Sequence, residues 1–159
     1  MTDEPSPDSF VINIPEPYLV AMGKVGVVWG IIEQVVDLAI GRLAGFGTYD
    51  PRAAIVTAHM TWPLKMDVLE ALADQLAPQL PRLAQYNTVK PLLKKAQDAR
   101  NQVAHGHWVY RDGKVYRLRA TARGKLRANI QPVALAEIES AINHISAAGR
   151  AVLKIVFDA

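Results

Sequence analysis

The amino-acid sequence predicts an all-α fold: a four- to five-helix up-down bundle with a small β-hairpin or meander inserted before the last helix. Half of the 159 residues are apolar and 21% are charged, which is enough apolar surface for one hydrophobic core. Apolar residues recur at helical spacing through most of the chain, and a clear alternation surrounds one Asp-Gly pair. We expect residues 1–16, which are acidic and rich in proline, to form a flexible tail, and residues 17–159 to form a single domain.

The first expected helix runs from Pro17 to about Leu43 and is apolar around most of its circumference. Proline is favoured in the first helical turn, and Gly45 is a typical stop. A helix of this kind is either central in a core or shared with a partner. A membrane span is disfavoured because Glu33 and Asp37 would lie in the middle of it. We therefore expect a homodimer that pairs through this helix, and no membrane association.

Three further helices are expected before residue 106. Asp50 is a good N-cap, and the proline after it suits the first helical position. Trp62-Pro63 is expected to break the chain between the second and third helices, and Pro91 is expected in the first turn of the fourth. The expected bounds are Pro51 to about Met60, residues 64–77 and residues 88–105.

A β-ribbon is expected between the fourth helix and the last one. Two alternating runs flank Asp112-Gly113, the strongest short hairpin signal. Arg123-Gly124 is expected to turn the chain again into a third short strand. Residues 134–156, with apolar residues at helical spacing, are expected to form the closing helix.

Several kinds of chemistry are disfavoured by composition. The chain has no cysteine, and its four histidines lack the spacing of a zinc site. It also has no Gly-rich phosphate loop. We expect no metal and no cofactor. The N-terminal residues lack the basic and apolar regions of a signal peptide, so the cytoplasm is the expected compartment.

Positive charge is concentrated in residues 90–127, where eleven Lys and Arg stand against two Asp, a net charge of +9. Such a segment fits a polyanion such as RNA, and it equally fits a solvated basic hairpin. The aromatic residues between the charges fit either an RNA stacking platform or a ribbon face packed on the helices. The candidate nucleic-acid contacts are Arg111, Lys114, Arg117, Arg119 and Arg123.

Residues 100–106 read Arg-Asn-Gln-Val-Ala-His-Gly at the expected end of the fourth helix. Arg100 falls at the edge of the apolar stripe, so its guanidinium needs a carboxylate or a bound anion. Asn101 and His105 are four residues apart and share a helix face. Arginine can hold a phosphate and histidine can move a proton at neutral pH, and RNA cleavage by its own 2′-hydroxyl needs both.

This motif resembles the R-x(4–6)-H signature of the HEPN superfamily, in which a polar residue often follows the arginine. The resemblance implies a helical bundle that usually dimerises and brings two Arg/His pairs to one cleft. It also implies a metal-independent endoribonuclease of toxin or defence type, which leaves 2′,3′-cyclic phosphate ends. By this resemblance Arg100 would bind the scissile phosphate and His105 would act as base or acid. Asn101 would orient either the phosphate or His105. RNA and an antitoxin protein are the partners that it implies.

A structural role for the same residues stays open. Arg100 could pair with Glu33 or Asp37 of the first helix, and His105 could serve the helix end. Many members of the superfamily only bind nucleotides or other proteins. A non-catalytic binding or scaffold module is therefore the alternative function.

Overall fold

The computed structural model describes residues 13–47, 50–121 and 127–157, with residues 119–121 and 127–128 described by their backbone alone. Within these ranges the chain is mostly helical, with five α-helices and one small three-stranded antiparallel sheet before the last helix. The expected tail lies almost wholly outside the described residues. The elements are α1 (Glu16–Leu43), α2 (Pro51–Thr57), α3 (Trp62–Leu76), α4 (Tyr86–Ala104), β1 (His107–Arg111), β2 (Lys114–Thr121), β3 (Arg127–Pro132) and α5 (Leu135–Phe157).

The helices share one hydrophobic core, in which α1 packs along α5 and α4 packs on α5 from another side. Apolar residues that recur every three or four positions supply the buried face of each helix. The members that are most completely buried include Val25, Ile32, Val36, Leu93, Ile138, Ile145 and Val152. Trp29 and Trp62 are buried against each other, with ring centroids 4.4 Å apart, so both are core residues.

Two prolines behave differently from the sequence expectation. Trp62-Pro63 opens α3, because Pro63 lies in the first turn, where its missing N–H is not needed. Pro91 lies inside α4, because the 3₁₀ turn Pro81–Gln85 leads directly into a helix that already begins at Tyr86. The expectation that α4 begins near residue 88 is therefore late by about one half-turn.

The start of α2 and the end of α1 match the local signals. The Asp50 carboxylate accepts the Arg52 backbone N–H at 2.9 Å, so it caps α2 as expected. Hydrogen bonds from Arg52 lower the pKa of Asp50. Gly45 has φ +83° after the end of α1, a conformation that favours glycine. α2 is shorter than expected and ends at Thr57, whose hydroxyl donates to the Ala53 carbonyl at 3.1 Å.

The hairpin forms around Asp112-Gly113, as the sequence predicts. Both residues have positive φ, 51° and 74°, as in a type I′ turn. Tyr110 pairs with Val115 across the turn, and Trp108 pairs with Arg117. Because side chains alternate along a strand, these four residues lie on the same face of the sheet.

Two contacts tie α3 to its neighbours. Lys65 is buried, and its ammonium lies 2.7 Å from Oδ1 of Asp37 on α1 and donates to Oδ2 at 2.8 Å. The Tyr86 hydroxyl on α4 donates to the Met66 carbonyl at 3.3 Å. Burial, with a smaller contribution from the Glu70 carboxylate, raises the pKa of Tyr86 to about 12, so this donor keeps its proton at neutral pH.

By length and composition alone α1 could cross a membrane, which is weak evidence, since the core helix of a soluble protein passes the same test. One face of α1 belongs to the core shared with α5. Asp37 of α1 is paired with Lys65 of α3.

We predict that Asp37→Asn destabilises the protein by about 3 kcal/mol, because it leaves the buried Lys65 ammonium without its counter-charge. Urea unfolding measures this loss. The matched control is Glu70→Gln, which removes the partner of Lys90 in an exposed ion pair of the same 2.7 Å length and should cost less than about 1 kcal/mol. Equal losses in the two variants would contradict the role of Lys65–Asp37 as the inter-helix tie.

Candidate functional site

The end of α4 brings three of the expected site residues into contact. Nη1 of Arg100 lies 2.9 Å from Nε2 of His105 and donates to Oδ1 of Asn101 at 3.1 Å. Arg100 and Asn101 are half-buried, whereas His105 is exposed. The sequence motif therefore corresponds to one hydrogen-bonded cluster.

The local backbone explains how residues far apart around the helix axis can meet. α4 ends at Ala104, and His105 takes φ −110° and ψ 11°, outside the helical range. Its backbone N–H still donates to the Asn101 carbonyl at 3.1 Å, so the turn stays attached to the helix. The long side chain of Arg100 spans the remaining distance to the imidazole.

Arg100 also reaches α1. Its guanidinium carbon lies 5.6 Å from the centroid of the Trp29 ring, which is a cation–π distance. In the part of the chain that the structure describes, Arg100 forms no ion pair with Glu33 or with Asp37. The expected alternative partner Asp37 is held by Lys65 instead.

The contact between Arg100 and His105 fixes the roles of the imidazole nitrogens. A guanidinium has only donors, so Nε2 of His105 accepts, and the neutral ring carries its proton on Nδ1. An anion that enters the cluster would compete with Nε2 and Asn101 Oδ1 for the same guanidinium. The cluster can therefore exchange an internal hydrogen bond for a bound phosphate and expose a basic nitrogen next to it.

The candidate nucleic-acid residues of the ribbon do not form one surface. Arg111 and Lys114 are exposed and face each other across the hairpin, and Arg111 Nε lies 3.3 Å from Asp112. Arg117 is buried on the other face of the sheet, only 9% exposed. Arg119 lies in β2 opposite Asn129, and Arg123 lies outside the described residues.

The burial of Arg117 was missed by the sequence analysis. Its Nη1 donates to Oε1 of Gln102 at 3.2 Å, and its guanidinium carbon lies 6.0 Å from the Trp108 ring centroid. The sequence did contain a signal for this burial. Arg117 lies two residues after Val115, so the two side chains share a face of the strand, and the apolar Val115 marks that face as the inner one. Charge alone does not distinguish a buried arginine from an exposed one in a basic run.

The ribbon packs on the helices through part of its aromatic content. Trp108 is half-buried against the core, and its indole N–H donates to the Val103 carbonyl at 3.0 Å. Tyr110 on the same strand remains 42% exposed. Packing on the helices therefore accounts for Trp108 but not for Tyr110.

Among the residues that the structure describes, His, Asp and Glu form no group of three or more that could hold a metal ion. His107 is exposed on β1, whereas His144 of α5 is half-buried.

Comparisons with protein-family models, with curated proteins and with solved structures find no match to this chain.

Proposed function

We propose that this chain is a HEPN-like endoribonuclease that cleaves RNA with Arg100, Asn101 and His105. The observation that carries the proposal is the 2.9 Å contact between Arg100 Nη1 and His105 Nε2, with the imidazole exposed to solvent. It joins a group that binds phosphate to a group that moves protons. In this proposal the helices form an up-and-down bundle, and the protein acts in the cytoplasm.

The proposed reaction uses the 2′-hydroxyl of the substrate as the nucleophile. A phosphodiester takes the guanidinium donors of Arg100, and the Nε2 of His105 then removes the proton from the 2′-oxygen. That oxygen attacks phosphorus, the bond from phosphorus to the 5′-oxygen breaks, and a 2′,3′-cyclic phosphate remains. Arg100 stabilises the charge that develops on the phosphoryl oxygens, and Asn101 restrains the guanidinium.

A second copy of the chain would complete the site. The leaving 5′-oxygen needs a proton, and a His105 from a second copy across a dimer axis supplies it. The outer face of α1 carries the apolar surface for such a dimer, and its exposed members are Leu19, Val20, Val27, Ile31 and Leu38. Gly23, Gly26 and Gly30 have no side chains, so they add no bulk to this helix. A Cβ on any of them would meet nothing within 4 Å, so these positions face open space.

The alternative is a non-catalytic binding or scaffold module, which the contact of Arg100 with Trp29 favours. In that case Arg100 ties α4 to α1, and its loss lowers stability. His105 would then be dispensable, because it is exposed and lies at a helix end. Stability and activity of the same variants therefore separate the two functions.

We expect His105→Ala to lower RNA cleavage by about 100-fold or more, the usual contribution of a general base or acid. Arg100→Lys should lose activity to a similar extent, because an ammonium cannot hold phosphate with two parallel donors. The double variant should lose little more than either single variant, since both residues act on one transition state. Gel analysis of a labelled RNA in EDTA measures these rates.

The matched control is His107→Ala, two residues further along and exposed on β1, which should cleave at the wild-type rate. A His105→Ala protein that is folded and cleaves as well as the wild type would end the catalytic proposal. A wild type without activity, beside an Arg100→Ala variant that unfolds, would establish the scaffold instead.

Sedimentation equilibrium at micromolar concentration should give about twice the chain mass of 17.4 kDa. Ile31→Glu should shift the protein to monomer, because it places a charge in the apolar face of α1, where Ile31 is 55% exposed. Ile55→Glu is the control, since Ile55 is 71% exposed on α2. A wild-type monomer, or an unchanged dimer in Ile31→Glu, would contradict pairing through α1.

RNA binding by the outer face of the ribbon predicts a change in salt dependence. Replacing Arg111 and Lys114 together with Ala should reduce the slope of log K against log salt by roughly two units, one for each lost phosphate contact. Arg150→Ala with Lys154→Ala, exposed on α5, is the charge-matched control. Fluorescence anisotropy of a labelled RNA measures both, and an equal slope in the two double variants would remove the ribbon from the interface.

A further inference from the structure

A groove of about 420 Å³ lies between α4, β2 and the first half of α5, and its walls include neither Arg100 nor His105. Val133 and Ile138 supply part of its apolar surface, and polar side chains from three elements surround it. The polar members are Lys95, Asp98, Gln102, Arg117, Glu137, Ser140 and His144. A concave site of this size with a few convergent polar groups is typical of small-molecule sites.

Arg117 is the buried charged residue of this groove, and no carboxylate of the described residues forms an ion pair with it. The side chain is only 9% exposed. Among the residues that the structure describes, its one side-chain hydrogen-bond partner is Gln102, a neutral amide, and its buried Nε has none. Among the described residues, no carboxylate lies at ion-pair distance from it. A guanidinium in this state has donors and an uncompensated charge that a bound anion would satisfy.

Gly106 leaves space for the Arg117 side chain, because it has no side chain of its own. A Cβ on Gly106 would lie 2.8 Å from Cγ and 2.9 Å from Cδ of Arg117, and 3.1 Å from the Gln102 carbonyl. A side chain at residue 106 would therefore push Arg117 out of its place. Close packing thus restrains the aliphatic part of Arg117, and the hydrogen bond to Gln102 orients its guanidinium in the groove.

We propose that this groove binds a small organic anion, a carboxylate or a phosphate monoester, whose anionic group pairs with Arg117. A guanidinium recognises both groups through paired donors. Lys95 and His144 place further donors along the groove. The apolar wall contacts the body of the ligand.

The two carboxylates of the groove define the rest of the ligand. Glu137 already accepts the backbone N–H of Ala134 at 3.0 Å, so its orientation is fixed at the start of α5. Asp98 is exposed at the other side. Carboxylates accept hydrogen bonds and repel anions, so the ligand carries amino or hydroxyl donors in addition to its anionic group. This site is independent of the proposed nuclease reaction.

A titration of the ¹⁵N-labelled protein, followed by amide chemical shifts, tests the proposal with four probes. Adenosine monophosphate and L-phenylalanine carry an anionic group together with amino or hydroxyl donors, and adenosine and 2-phenylethylamine are their counterparts without the anion. At least one anionic probe should shift the amides of Gln102, Ser140 and Ala141, and its counterpart should bind at least about tenfold more weakly.

Arg117→Met should weaken the binding of that probe at least about tenfold, because it keeps the length of the side chain and removes the charge. Without ligand this variant should be at least as stable as the wild type, since an uncompensated buried charge has been removed. Arg111→Met on the outer face of the ribbon is the matched control and should bind like the wild type. If Arg117→Met does not fold, Ser140→Phe, which narrows the groove from α5, should abolish binding instead.

Four results would overturn the proposal. They are no shift in the groove with either anionic probe, equal binding of a probe and its anion-free counterpart, and wild-type affinity in Arg117→Met or Ser140→Phe. The fourth is a set of shifts confined to Asn101 and His105, which would assign the anion to the candidate nuclease cluster. A failure of RNA cleavage leaves each of these readouts unaffected, so the two proposals are tested separately.

Discussion

Gly106 has no space for a side chain, because a Cβ there would lie 2.8 Å from Cγ of Arg117, and the rest of the site depends on this close approach. The approach lets β2 pack directly against the end of α4. α4 ends at Ala104, two residues before this glycine, and His105 adopts a non-helical conformation in which its ring contacts Arg100. One short turn therefore joins the helices to the ribbon and assembles the candidate cluster.

The two arginines near this turn illustrate two solutions to the same physical problem. Arg100 lies at the edge of the core, where the Trp29 ring, an amide oxygen and an imidazole surround its guanidinium without neutralising it. Arg117 is more deeply buried and meets an amide oxygen and the Trp108 ring. Neither has a carboxylate partner in the described part of the chain. Both therefore retain donors that an anion can use, Arg100 in the candidate cluster and Arg117 in the groove.

Much of the fold could be predicted from local signals, and the failures have physical causes. The Asp112-Gly113 turn and the Asp50 cap were predictable because a few neighbouring residues determine them. The start of α3 at Trp62-Pro63 also has a local signal, because proline is favoured in the first turn of a helix, and the expectation of a break there was wrong. Spacing placed Asn101 and His105 on one helix face, whereas the pairing of Arg100 with His105 was implied only by the resemblance of the motif. The burial of Arg117 required knowing which face of the ribbon meets α4. The partner of Asp37 was likewise a matter of tertiary packing.

In the proposed reaction, Arg100 and His105 cleave RNA through its own 2′-hydroxyl. The most direct measurement uses a short oligoribonucleotide with one identified cleavage position, beside the same strand with a single 2′-deoxy residue immediately 5′ of the scissile phosphate. The proposed mechanism predicts cleavage of the all-ribose strand. It predicts no cleavage at that position in the 2′-deoxy strand, because the 2′-hydroxyl nucleophile is missing there. Equal cleavage of both strands by the wild-type protein would contradict it.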